Sequence, residues 1–217
     1  MTTKTTGETI VDEPSQQAEA ATPNAYSHGF RKLMGAFVET DGTDAAAPTY
    51  GSPFSFRGEI NMSLSDSSSS TPVYAGDETY DELEGVPSLS GTLEVYGELP
   101  PEVERDMLGH VADAAGNVSL GEGGVRKPFA LMYQVQGKTE PVDWVFYKMK
   151  VTKECDVNPE TDQETASPKS TVYNVKAFLQ NWKGQKYTWT RVKKSTDPTG
   201  FASFFTKVHD PTTKAQA

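Results

Sequence analysis

Alternation of apolar and polar positions is the strongest signal along this chain. In FSFRGEINMSLSD (54–66), Ile60, Met62 and Leu64 fall on one side and Glu59, Asn61, Ser63 and Ser65 on the other, the period of two that marks a half-buried strand. LSGTLEVYGEL (89–99) repeats the pattern, with Leu89, Leu93 and Val95 set against Ser90, Thr92 and Glu94. KPFALMYQVQG, VDWVFYKMKVTKE, STVYNVKAFLQNWKG and KYTWTRVKK read as strands from their Val, Tyr, Phe, Trp and Thr content, the last two joined by a hairpin turned at Lys183-Gly184-Gln185. KLMGAFVETDG (32–42) opens the ordered part, and TDAAAPTYGSPF (43–54) reads as a linker of small residues and prolines.

One stretch departs from the period of two. GELPPEVERDMLGH (97–110) places Pro101 in a first helical turn, Glu102 and Glu104 at the positive end of the helix dipole, and Gly109 where a left-handed residue can close the helix. Val103 and Met107 lie four apart with Leu108 beside them, which gives a two-turn apolar stripe. A helix this short is not stable alone in water, so these three residues are expected to pack it onto a sheet. A second short helix is expected where Phe201, Phe204 and Phe205 recur at helical spacing, leading into a final strand or arm.

The remaining segments are polar. SSSSTPVYAGDETYDELEGVPS (67–88) reads as a long exposed connection or irregular edge with an acidic cluster at Asp77, Glu78, Asp81, Glu82 and Glu84, and CDVNPETDQETASPKS (155–170) as an acidic loop. The first two dozen residues carry almost no large apolar side chains and cannot offset their ordering entropy. We therefore expect a flexible arm over 1–25, a single β domain over 26–211 and a short tail over 212–217. The 35% apolar content of the 217 residues agrees with one core sharing the chain with polar extensions. No run reaches the roughly 18 apolar residues of a membrane span, and no secretory signal is visible, so a soluble protein assembled in the cytoplasm is expected.

Charge and candidate chemistry narrow the function classes. With 20 Lys and Arg against 30 Asp and Glu, the net charge of −10 argues against general attraction to a nucleic-acid backbone. The single cysteine, Cys155, allows no internal disulfide and has no histidine near it in sequence to make it a nucleophile. His28, His110 and His209 are scattered and read as surface or capping residues. GEGG (121–124) lacks the Lys-Ser/Thr partner of a phosphate cradle and reads as a hairpin turn. Asp156, Asn158, Glu160 and Asp162 alternate like calcium-loop ligands, but Thr161 stands where such a loop needs glycine. The expectation is therefore a protein with no catalytic, cofactor or metal residues.

Taken in order, KLMGAFVETDG, TYGSPFSFRGEINMSLSDSSSSTPVYAGDETYDEL, SGTLEVYGELPPEVERDMLGH and FFTKVHDP resemble the major tail protein family of long-tailed, non-contractile bacteriophages (siphophages) over roughly residues 30 to 211. The resemblance implies a mainly β, tail-tube-type β-sandwich or open barrel with one flanking short α-helix and extended arms and loops. It implies hexameric rings stacked into the hollow tail tube of a virion, through which double-stranded DNA passes without specific binding. The implied partners are further copies of the chain and the tape measure, tail terminator and distal tail proteins, with no membrane. In such a tube, Glu59, Asn61, Ser63, Ser65, Ser90, Thr92 and Glu94 are the candidates to line the lumen as a wall of acids and short hydroxyls. The acidic loop then serves contacts between subunits. The competing expectation is a monomeric, non-catalytic β-sandwich binding module, carbohydrate-binding or adhesin-like, which would display Trp182, Tyr187 and Trp189 as an aromatic platform.

Overall fold

The structure, a computed structural model, describes residues 28–56, 58–67, 70–75, 78–97, 99–137, 139–153 and 170–212. The expected arm over 1–25, the loop bearing Cys155, and Asp156, Asn158, Glu160 and Asp162 lie outside the described residues.

The chain is mainly β, with antiparallel sheets and two short helices. In chain order the elements are β1 (His28–Thr40), β2 (Thr49–Tyr50), β3 (Phe54–Ser55), β4 (Glu59–Asp66), β5 (Ser70–Ala75), β6 (Glu78–Glu84), β7 (Leu89–Tyr96), α1 (Pro101–Leu108), β8 (Val111–Ala112), β9 (Val118–Ser119), β10 (Phe129–Gln136), β11 (Val142–Val151), β12 (Ser170–Ala177), β13 (Gln180–Trp182), β14 (Gln185–Tyr187), β15 (Trp189–Lys193) and α2 (Pro198–Ser203). Nine strands form the main sheet in the order β2-β1-β10-β11-β12-β7-β4, with β3 also on β1 and β15 also on β11. The expected linker over 43–54 thus contributes two short strands to the edge of β1.

The central strands are buried on both faces, as the near-continuous apolar run FALMYQ of β10 requires. Phe129, Leu131 and Tyr133 point into one cluster with Leu33, Phe146, Met149 and Val151, while Ala130 and Met132 point into a second with Ala36, Val145, Tyr147 and Trp182. On β11, Phe146 and Met149 share the first cluster although they are three residues apart. Strict alternation forbids this, and an irregularity supplies the change of phase: Phe129 pairs with Met149 but Leu131 with Phe146.

Helix α1 has the bounds read from the sequence. Gly109 closes it at φ 73°, and its amide donates to the Arg105 carbonyl. Met107 and Leu108 are buried in the first cluster, with Val103 packed against it. Asp106 fixes the outer side of the helix through Lys127 at 2.5 Å and Arg105 at 2.9 Å. Helix α2 begins at Pro198, where the Asp197 carboxylate accepts the Gly200 amide, and beyond it Phe204 and Val208 enter the second cluster. No strand follows it among the described residues.

Three local expectations are corrected. Ser70–Ala75 and Glu78–Glu84 are paired antiparallel strands rather than an irregular connection. GEGG is a turn but joins no paired strands: the neighbouring hairpin is β8–β9, turned where Asp113 accepts the amides of Ala115 and Asn117. The last hairpin is shorter than its sequence suggests. β13 and β14 turn at Lys183 and Gly184, both with positive φ as a tight primed turn needs, while β12 and β15 leave to pair with β11.

Candidate functional site: a polar wall on the open wing of the sheet

Strands β4, β7 and β12 form a wing covered on one side only. Their apolar positions Met62, Leu64, Leu89, Leu93, Val95, Tyr173 and Val175 pack into the first cluster. The opposite side is ordered by register, since residues directly opposite across an antiparallel ladder share a face. Asn61 faces Glu94, Ser63 faces Thr92 and Ser65 faces Ser90 between β4 and β7. On the far edge of β7, Glu94 faces Val172, Thr92 faces Asn174 and Ser90 faces Lys176. Ser65 Oγ donates to the Ser90 carbonyl at 3.3 Å and Ser170 Oγ to Glu94 Oε1 at 2.5 Å. The result is a patch mainly of short polar side chains that also exposes Val172 and Tyr96, at 41% and 43%. Gly91 on the cluster side allows β4 and β7 to approach closely: a Cβ there would sit 1.8 Å from the Ser63 carbonyl oxygen.

Six of the seven residues expected on this wall share it, and Glu59 does not. The ladder slips between Glu59 and Asn61, so Glu59 pairs with Val95, a core position, and its carboxylate accepts the Lys32 amide at 3.0 Å. Lys32 occupies the left-handed region at φ 57°, a conformation that turns its amide out of the regular ladder. The wall also carries a charge that the β4 and β7 sequences do not show. Lys176 continues the row of Ser90, and Lys150 lies directly opposite Lys176 on β11. Acids and hydroxyls alone therefore do not describe it: one carboxylate, Glu94, shares the face with two lysines at its margin.

The acidic segment is partly described. Glu78, Asp81, Glu82 and Glu84 lie on β6, and Asp77 is outside the described residues. The aromatic platform of the competing expectation is not assembled. Trp182 is 4% exposed and stacks near Tyr50, Tyr187 is half-buried beside Tyr147, and only Trp189 is exposed, at 42%, against Trp144 with ring centroids 4.9 Å apart. His209 is half-buried against Phe204 rather than on the surface. Burial holds its pKa below the ordinary value, with Asp197 and Asp210 pulling upward and Lys207 downward. Among the described residues no group of His, Cys, Asp and Glu is placed to hold a metal ion.

One polar chain had no signature in the sequence. Arg31 Nε donates to Gln134 Oε1 at 3.1 Å, and Gln134 Nε2 donates to Asp143 Oδ1 at 2.7 Å. Asp143 is 1% exposed, and its Oδ2 has no hydrogen-bond partner among the described residues. Burial pushes its carboxyl above the ordinary value, against the Gln134 hydrogen bond and the charge of Lys32. Asp143 alternates correctly with Val145 and Tyr147, so the pattern predicts its face but not its polarity.

No protein-family model matches the chain, and no curated protein matches it.

Proposed function

We propose that this chain is a structural subunit of a siphophage-type tail tube, assembling as hexameric rings stacked into a hollow conduit for double-stranded DNA. The carrying observation is the open wing: a sheet face of Asn61, Ser63, Ser65, Ser90, Thr92 and Asn174, bounded by a strand, β4, whose outer edge has no partner among the described residues. Such an edge invites strand pairing, and closure of several copies into one barrel removes it. Copies related by rotation about an axis close a ring, and translation along that axis extends a tube. Short hydroxyl and amide side chains give passing DNA no cluster of cations to neutralise its phosphates, so transit proceeds without retention. In this reading the chain is a structural virion protein, not an enzyme, and its other partners are the tape measure, tail terminator and distal tail proteins.

Electron microscopy of the concentrated full-length protein tests the proposal. Sixfold rings or tubes with a central channel are expected. A protein that stays monomeric at every concentration refutes it. The exposed Trp189 against Trp144 favours the second reading, a carbohydrate-binding or adhesin-like module. A glycan-dependent change in tryptophan fluorescence, lost in Trp189→Ala, would select that reading.

A further inference from the structure

An open cleft of about 320 Å³ lies between the C-terminal end of α1 and the glycine turn after β9. Leu120 and Val125 border it, 68% and 73% exposed, and Arg126 and Lys150 complete its lining with the main chain of Gly121 and Gly124. No carboxylate lines it among the described residues. The cleft is held in shape. A Cβ at Gly124 would lie 1.7 Å from the Gly109 carbonyl oxygen, so the turn is seated on the helix cap, and Arg126 donates to the carbonyls of Leu108 and Thr152, both at 3.1 Å. Lys176 directly opposite Lys150 adds a like charge that raises the local positive potential. Exposed large aliphatics beside Lys150 and its cross-strand neighbour Lys176 suit a partner that is both apolar and acidic.

This chain carries such a segment. The β5–β6 hairpin pairs with no other strand among the described residues, and an isolated two-stranded hairpin is marginal in water. Residues 70–84 contain Glu78, Asp81, Glu82 and Glu84 without a single Lys or Arg, interspersed with Val73, Tyr74, Tyr80 and Leu83. The segments that flank the hairpin, at Asp66 and at Pro87 to Leu89, lie beside Thr188 and Trp189. We infer that the cleft receives the acidic β5–β6 hairpin of a second copy of this chain. The inference rests on the tube proposal in requiring that copies associate, and it names the two surfaces that meet.

Two full-length variants test it: Leu120→Ser with Lys150→Glu in the cleft, and Glu82→Lys with Glu84→Lys in the hairpin. Sedimentation velocity over a concentration series should show self-association of each weakened about tenfold or more, and an equimolar mixture, where opposite charges meet again, should recover it. A variant that associates like the wild type, or a mixture without recovery, overturns the inference. If the wild type and both variants build the same rings and tubes, this contact falls and the tube proposal stands. If the wild type forms oligomers other than rings that both variants break and the mixture restores, the contact stands and the tube proposal falls. A strictly monomeric wild type overturns both. As a second measurement, Leu120→Cys copies mixed with Glu82→Cys copies, all carrying Cys155→Ser, should form a mixed disulfide dimer, and absence of that dimer counts against the contact.

Discussion

Truncation of Met107 to alanine measures how firmly α1 is held. The side chain is fully buried in the first cluster, between the helix and the β10–β11 face, and it is the deepest apolar contact on an eight-residue helix that cannot persist unaided. Removing a buried methionine side chain forfeits its transfer free energy and leaves a cavity, together about 2–4 kcal/mol. Against a total stability of about 5–15 kcal/mol this is a large fraction, and it should lower the urea midpoint by about 1–2 M with little change in slope. Val103→Ala, on the same helix but only half-buried, should cost about 1 kcal/mol, and the exposed Glu102→Ala close to nothing. Met107→Asp should leave the subunit unfolded or aggregated, because an unpaired charge in that position has no partner. Equilibrium urea unfolding followed by tryptophan fluorescence reads all four. The packing argument fails if Met107→Ala costs no more than Glu102→Ala, since the helix would then not be anchored through this residue.

Gly91→Ala should separate β4 from β7 and cost about 1–3 kcal/mol, read by chemical denaturation; an unchanged midpoint would show that the strands can part without loss. Asp143→Asn should raise the melting temperature at neutral pH: the folded state binds a proton more tightly than the unfolded one, so stability falls as pH rises from the unfolded carboxylate range through the raised folded value. That gain should vanish in acid, where wild-type Asp143 is already protonated, and a pH-independent difference would contradict the cause assigned here. For His209 the folded pKa is lowered, so acidification from about pH 7 to pH 5 should destabilise the wild type more than His209→Gln in thermal scans. Ser63→Lys with Thr92→Lys should make assembled tubes retain duplex DNA at low salt in a filter-binding assay, with retention lost as salt rises; wild-type tubes should retain none.

The period-two segments were legible because each carries its own one-sided burial. Met62 and Leu64 against Ser63 and Ser65 needed no knowledge of neighbours, and neither did the ends of α1, signalled by Pro101 and Gly109. What failed depended on irregularities that side-chain polarity does not encode. Glu59 continues the polar series in sequence, yet the slip before Asn61 moves it to the other side of β4. The same kind of slip puts Phe146 and Met149 in one cluster. Register also decided what sequence could not place: Lys150 and Lys176 are unremarkable in their own strands and join the wall only through pairing, Lys176 with Ser90 on β7 and Lys150 with Lys176 on β12. Trp182 belongs to an exposed platform only in the competing expectation, and β13 instead packs its indole against Tyr50 and Tyr147. The acidic run hid its strands because serines, a proline and clustered carboxylates all lower β-propensity, and pairing of β5 with β6 overrides them.

The β4 row of the wall is small as well as polar, and that distinction bears on the proposed role. A strand face exposed only to bulk solvent is well served by Thr, which keeps strand propensity, and by Lys, Glu or Arg, which add solubility. Here the inner rows of β4 and β7 hold Asn61, Ser63, Ser65 and Ser90 beside Thr92 and Glu94, and the first four pack poorly across strands and contribute less to sheet stability. The stability of the wing must therefore come from its other side, where Leu93, Val95, Tyr173 and Val175 are at most 1% exposed beneath the first cluster. Helix α1 closes that side with Met107 and Leu108, so the short helix serves the wall by letting its strands be held from behind. A surface kept shallow at a cost in propensity is what a close-fitting passage requires, because long side chains would narrow it and cationic ones would hold the phosphates. The lysines stand at the margin, at Lys176 and Lys150, and not among those inner rows.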